Sequence, residues 1–338
     1  MNSAERFKAS LSFSGEADRL PVVEWATWWN KTIDEWKTQG FPDEITGVDD
    51  ISTFLGLDKL HQFWFAIREE GCPVPSYHGG PVIFDEESYF KAKRYLFTDA
   101  LLDKAYRDVK RFVDDPVNEG YAVWYTLEGF FWFPRTMFGI ENHLFAFFDQ
   151  PELMLQMNRD LCDFNRKLID VVNSLTTPAF MTFAEDLSYN LGPMLSKEQY
   201  DTFILPFYKE LSPLIKSSGT KVIIDTDGFV EPLIPWFLEG GVEGILPLER
   251  MAGVDVNRIR KDFPDLLMIG GFDKTVMHLG EEAMRGEFER IRPAIESGGY
   301  IPSVDHQTPP GVTLENYRIY MKLLLEYCCK YPPRQKQG

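Results

Sequence analysis

Asp225 and Asp227 stand two residues apart at the end of the run Lys221-Val-Ile-Ile-Asp-Thr-Asp-Gly228. Lys221 to Ile224 read as the body of a buried strand. Side chains two apart on a strand share a face, so both carboxylates are expected to point the same way. Like charges drawn together out of water need a cation, a proton or hydrogen-bond donors beside them. His306, much later in the chain, offers an imidazole nitrogen. Carboxylate oxygen and neutral imidazole are good ligands for zinc and related divalent ions. Asp225, Asp227 and His306 are therefore expected to form a three-ligand metal site with room for water or substrate. Asp305 or Glu185 would complete or support it. The same residues admit a plainer assignment, in which the two aspartates cap a loop and the following helix and His306 bonds to backbone.

Other ionisable residues fall where strands are expected to end: Glu24, Glu128, Glu185 with Asp186, Glu249, Asp273 with Lys274, and Asp305 with His306. Glu185 and Glu249 are the candidate catalytic acids. Trp25, Trp28, Trp29, Glu128, Lys274 and Asp305 are the candidate substrate contacts. The tryptophans, with Phe63 to Phe65 and Phe130 to Phe133, would form either core or the wall of a pocket for a flat, apolar substrate. Trp28 and Trp29 are adjacent and cannot both face one interior. Arg135 and Lys274 are the cations best placed to meet a substrate anion. Lys274 would form a Schiff base only if its pKa were lowered, and Asp273 beside it is expected to keep it charged. His61, His78, His143 and His278 have no ligand spacing and are expected to be structural.

The chain has 338 residues and a net charge of −17, which excludes the basic patches needed to hold nucleic acid or anionic membrane. No apolar run is long enough to span a bilayer and the N-terminus has no apolar signal core, so a cytoplasmic protein is expected. Cys72, Cys162, Cys328 and Cys329 form neither a metal motif nor a disulfide framework, so any metal site must use oxygen and nitrogen.

Strands and helices alternate along most of the chain. A first strand is expected over 22–25, another within the ambiguous 60–90 region, then 121–129, 179–183, 221–225, 243–248, 266–270 and 299–304. Helices are expected over 4–13, 49–56, 98–114, 141–148, 151–175, 196–218, 231–239, 255–262, 281–297 and 313–329. Asp149 is a candidate cap for the helix at Pro151, and Pro206 is expected to break the helix 196–218. Eight βα units in this length predict a (β/α)8 TIM barrel, with residues 1–20 as a helical lead-in and 1–338 as a single domain. Barrel chemistry sits at the C-terminal strand ends, where the acids above collect. A doubly wound sheet is the alternative, but no GxGxxG motif follows a strand.

Several stretches resemble the uroporphyrinogen decarboxylase superfamily: Glu5-Arg-Phe, Asp18-Arg-Leu-Pro-Val22, Leu191-Gly-Pro-Met-Leu-Ser196, Leu205-Pro-Phe-Tyr208, Ile269-Gly-Gly-Phe-Asp273 and Pro309-Pro-Gly-Val-Thr-Leu-Glu-Asn316. The resemblance runs in order over nearly the whole chain and implies a TIM barrel. It implies one of two chemistries. The metal-free decarboxylases carry an arginine-bearing stretch after the first strand, where this chain reads Glu24-Trp-Ala-Thr-Trp-Trp-Asn30. The other branch moves methyl groups to or from corrinoid proteins, and many members bind zinc through His-x-Cys-Gly and a later Cys. Asp225, Asp227 and Gly228 stand at the first three of those places, and His306 at the last. The resemblance thus implies an altered zinc site, better suited to an oxygen substrate than to a thiol. The expectation is an O-demethylase component that transfers methyl from a small methoxylated aromatic to a corrinoid carried by a partner protein, with a homodimer left open. A porphyrinogen decarboxylase, a metal-dependent lyase or hydrolase, and a non-catalytic tetrapyrrole- or corrinoid-binding barrel are the alternatives.

Overall fold

Apolar runs of short length form a parallel sheet of seven strands. In chain order the strands are β1 (Leu60–Trp64), β2 (Ala122–Glu128), β3 (Phe180–Ala184), the short hairpin β4 (Ser188–Tyr189) and β5 (Gly192–Pro193), β6 (Lys221–Asp225), β7 (Gly244–Leu246), β8 (Leu267–Phe272) and β9 (Tyr300–Val304). The main sheet runs β1-β2-β3-β6-β7-β8-β9, and β4 pairs only with β5. The computed structural model describes residues 1–332; residues 333–338 of the expected unit lie outside the described residues.

The two-residue period sorts the strand side chains into separate cores. Ala122 and Trp124 of β2 pack with Phe180, Ile223, Leu246, Ile269 and Ile301 inside the sheet's curve. Val123, Tyr125 and Leu127 of the same strand pack outward with the helices. The helix Ser3–Ser10 seals the N-terminal end of this interior. Its Phe7 stacks on Phe180, ring centroids 6.2 Å apart, and Ala4 N–H donates to Gly120 O at 3.1 Å. Arg6 and Arg19 both grip Asp58, at 3.1 and 2.7 Å, and tie the lead-in to the segment before β1. Chemistry is thereby left to the other end.

The expected first strand is absent. Residues 22–24 are irregular, the chain bends at Trp25, and none of them joins a ladder. Side chains take the bonds that a ladder would use. Asp58 accepts Val22 N–H at 2.8 Å, and Val22 O accepts Asp58 N–H at 2.9 Å. On the other side Trp25 N–H reaches Ser303 Oγ at 3.4 Å, and Glu24 Oε2 accepts from Ser303 Oγ at 2.7 Å and Val304 N–H at 3.3 Å. One segment thus reaches the approach to β1 and the edge at β9, which requires the sheet to curl. The fold is a curled, TIM-barrel-like α/β sheet whose eighth place is bridged by a loop rather than paired as a strand.

Most helices lie where the apolar spacing puts them. Ser196 and Gln199 form the expected capping box, and the helix splits into Lys197–Phe203 and Leu205–Ser217. Pro206 has no N–H to give to the turn before it. Two caps differ. Asp149 is the last residue of the helix Ile140–Asp149, and Gln150 precedes Pro151 without a side-chain cap. The helix expected over 49–56 is Val48–Phe54, preceded by Gly47, and Asp49 instead bonds His61 Nδ1 at 2.8 Å. Among the described residues no helix is long and apolar enough to cross a membrane.

Phe7 is 1% exposed. Phe7→Ala is expected to cost about 3–5 kcal/mol in urea unfolding, because it opens a cavity at the sealed end of the sheet.

Candidate functional site

Asp225 closes β6, opposite Ala184 of β3 and Leu246 of β7. The strand alternation carries one residue past the ladder. Thr226 turns inward to the protein, where its Oγ1 accepts Leu187 N–H at 3.1 Å. Asp225 and Asp227 both face a cavity of about 300 Å³ at the C-terminal ends of the strands. Gly228 follows with φ +85°, and a Cβ there would lie 2.7 Å from the backbone of Tyr189. The hairpin β4–β5 therefore closes over this strand end only because the residue is glycine.

Asp186, His306 and Trp25 line the same cavity, together with Gln62, Trp64 and Trp124. His306 Nε2 lies 3.6 Å from Asp227 Oδ2, and the Trp25 ring meets the imidazole edge-on at 6.3 Å. Trp25 is fixed by its own Nε1–H, which donates to Val304 O at 2.8 Å. Asp186 is held with φ +48°, an uncommon conformation for a residue with a side chain.

The acids are poorly compensated. Burial, with Asp186 and Asp227 beside it, pushes the Asp225 carboxyl well above the carboxylate range. Burial and the charges of Asp186 and Glu249 push Asp227 up to about 7, although Lys274 opposes this. Burial also raises Asp186. His306 is lowered, first by burial and then by Lys274. At neutral pH the cavity therefore presents a neutral imidazole and carboxyl groups, with no Lys or Arg among its described lining residues.

That donor set suits a divalent cation of oxygen and nitrogen preference. Among the described residues, however, no three His, Cys, Asp or Glu side chains stand as a ready coordination group. Asp225, Asp227 and His306 share a cavity without converging on one point.

The remaining candidates divide by what they touch. Glu185 is sealed away from the cavity. Its carboxylate accepts the N–H groups of Phe130, Phe131 and Trp132 at 2.8, 2.7 and 3.2 Å, and the Tyr208 hydroxyl. It anchors the start of the helix Trp132–Phe138, and burial pushes it up to about 7. A Cβ at Gly129 would fall 2.1 Å from this carboxyl, so the turn and the glutamate require one another. Glu185, one residue past β3, thus holds the 130–132 turn, and its carboxylate does not line the cavity where a catalytic acid is expected. Glu128 pairs with Arg68 at 2.7 Å and does not line the cavity.

Lys274 lies behind the cavity wall, 3.4 Å from Asp305 and 3.7 Å from Glu249. It is ion-paired as expected, but not by Asp273, which caps its own turn through Thr275 N–H at 2.8 Å. Asp305 is fully buried and also accepts Arg250 N–H and Lys274 N–H, at 2.9 and 3.2 Å. Glu249 accepts Gly228 N–H at 3.2 Å, which places it beside the acid cluster. Trp28 is buried against Trp36 and Tyr317, whereas Trp29 is 44% exposed at the start of the helix Asn30–Thr38. Phe130, Phe131 and Phe133 are core.

Of the aromatic run 63–65 expected at a core or a pocket wall, Trp64 lines the cavity while Phe63 and Phe65 are core; Gln62 and Trp124 were not among the expected site residues. A signal was present, since Gln62 and Trp64 sit two apart in β1, and a polar residue in mid-strand marks the face that meets a cavity.

Carboxyl groups raised by burial keep protons in the folded chain that the unfolded chain has released. Glu24, Glu185 and Asp227 all rise to about 7. Their contribution to stability is greatest below the ordinary carboxyl range and is lost as pH rises toward 7. The urea midpoint is therefore expected to fall between about pH 5 and about pH 7, and Asp227→Asn is expected to make that fall shallower. A flat profile in both proteins would show that these groups ionise normally in the fold.

A comparison with curated protein sequences gives no match. Among solved structures, a methyltransferase from Methanosarcina mazei superposes with a TM-score of 0.65 at 13% identity, covering 97% of this chain and 99% of that one. A B12-independent methionine synthase from Shewanella sp. W3-18-1 gives 0.43 at 9% identity, covering 68% of this chain and 65% of that one. The methionine synthase from Listeria monocytogenes, described as putative and vitamin-B12 independent, gives 0.44 at 11%, covering 90% and 95%. The first of these shares the fold. The sequence model of the family described as Uroporphyrinogen decarboxylase (URO-D) matches residues 137–327, more than half of the chain and all the strands from β3 onward, and the chain belongs to that family.

Proposed function

We propose that this protein is a methyltransferase that removes the methyl group of a methoxylated aromatic and passes it to a corrinoid carried by a partner protein. One observation carries the reading: under-compensated carboxyls and His306 share a cavity walled by Trp25, Trp64 and Trp124. The tryptophans suit a flat ring, and the acids and imidazole suit a cation that acts on oxygen. Fold likeness to the Methanosarcina mazei methyltransferase supports the same branch of the family. A decarboxylase acting on a polycarboxylate fits less well, because acids line the cavity and no Arg or Lys does, among the described residues.

Asp225, Asp227 and His306 would hold zinc once their side chains turn toward one point in the cavity they share. When bound, zinc would supply Lewis acidity toward the ether oxygen. The chain's own residues do the rest. Trp25 and Trp124 hold the ring and exclude water, which strengthens every charge interaction in the site. Transfer breaks the methyl carbon–oxygen bond and leaves a phenolate, which must take a proton. Asp186 is the cavity carboxyl outside the ligand set, and it hands over that proton in place of the sealed Glu185. Glu249 and Lys274 hold the Gly228 turn and Asp305 in place behind the wall.

Metal analysis of the purified protein is expected to give stoichiometric zinc that is lost in Asp227→Ala and His306→Ala. Methyl transfer from a methoxyarene to a reduced corrinoid protein is expected to disappear with it. Asp186→Asn is expected to keep the zinc and to slow transfer by about 100-fold or more. A metal-free protein with full transfer activity would end the zinc assignment.

A further inference from the structure

A second cavity, of about 510 Å³, opens beside the first. It lies between residues 23–28 and β1, where the missing ladder leaves the sheet open. The two cavities share Trp25, Ala26, Thr27, Gln62 and Trp124 as lining. They therefore meet along one wall, and the indoles of Trp25 and Trp124 stand at the join. Each volume falls in the range of small-molecule sites.

The outer cavity has a definite electrostatic character. Glu24, Asp49, Asp50 and Asp58 line it, and among the described residues no Lys or Arg does. Asp58 is already paired with Arg6 and Arg19. His61 is tied to Asp49 through Nδ1 and stacks on Phe112, ring centroids 4.0 Å apart. Glu24 bonds to Ser303, Val304 N–H and Tyr317, all neutral donors. Asp50 has no ion-pair partner among the described residues. The walls are otherwise apolar and aromatic, with Trp25, Trp28 and Leu57. Indole faces together with the unpaired Asp50 carboxylate attract an organic cation and repel an anion.

We infer that the outer cavity is a substrate subsite for a positively charged substituent, so that the methyl donor is an aryl methyl ether bearing an ammonium side chain rather than a methoxybenzoate-type acid. This rests on the inner cavity being the methyl-ether site. The ring lies at the Trp25–Trp124 join, its methoxy group faces Asp225, Asp227 and His306, and its side chain runs toward Asp50. No bond changes in the outer cavity; its contribution is affinity and selection.

Three ligands of similar shape test this by calorimetric titration of the full chain: para-methoxyphenethylammonium, para-methoxyphenylpropionate and para-ethylanisole. The ammonium is expected to bind about 10-fold or more tighter than the neutral ether, and the carboxylate more weakly than either. Ser52→Phe, which fills the outer cavity, and Asp50→Asn, at an exposed position, are expected to remove the ammonium advantage while para-ethylanisole still binds as before. That retained binding also reports that each variant is folded. Equal affinity for the three ligands, or an advantage that survives Ser52→Phe, overturns the subsite while leaving the inner site intact. Absence of binding by all three overturns the inner site, and the subsite with it.

Discussion

Carboxyl groups drawn out of water at the ends of two neighbouring strands set the terms for this molecule. Asp186 follows β3, and Asp225 and Asp227 end and follow β6, so sheet geometry alone brings them together. Their mutual repulsion adds to the cost of burial, and both effects favour the protonated form. Such a cluster persists because the surrounding fold holds it by other means. The apolar interior below packs against the lead-in helix, and Gly228 lets the hairpin close above. The result is a preorganised demand for positive charge at the mouth of the sheet, which a metal, a proton or a cationic ligand can satisfy.

The same end of the molecule shows how differently buried acids can be treated. Glu185 receives four donors and becomes part of the frame. Asp305 receives two backbone N–H groups and the Lys274 ammonium. Asp225 receives no such bond among the described residues and is left to its neighbours' charges. Satisfied acids build the wall, and the unsatisfied ones face the cavity. Residue type does not separate these roles; hydrogen-bond partners do.

The unpaired segment at residues 22–25 has a similar double effect. By sending Glu24 to β9 and Val22 to Asp58, it gives up a strand ladder and leaves a cavity along β1. A fully paired eighth strand would bring the neighbouring backbones within ladder distance there. The opening joins the acid-lined mouth through the Trp25 and Trp124 walls. The departure from an ideal barrel and the space available to a ligand are one structural fact.

Much of this was legible in the residues themselves. The short apolar runs at 221–225 and 299–304, the Ser196–Gln199 box and the Pro206 break are local matters, and each is governed by residues within a few positions. The shared face of Asp225 and Asp227 was legible for the same reason. Strand ends could be read as the place where polar side chains gather, which brought Trp25 and His306 toward one mouth. What tertiary structure decided was partnership. Whether Val22 to Trp25 would join a ladder depended on Asp58 and Ser303, one downstream by tens of residues and the other by hundreds. Whether Glu185 would catalyse or anchor depended on N–H groups from the 130–132 turn and on Tyr208. Local spacing determines which way a side chain leaves the backbone, but the groups it meets there come from distant segments, and only their packing selects them.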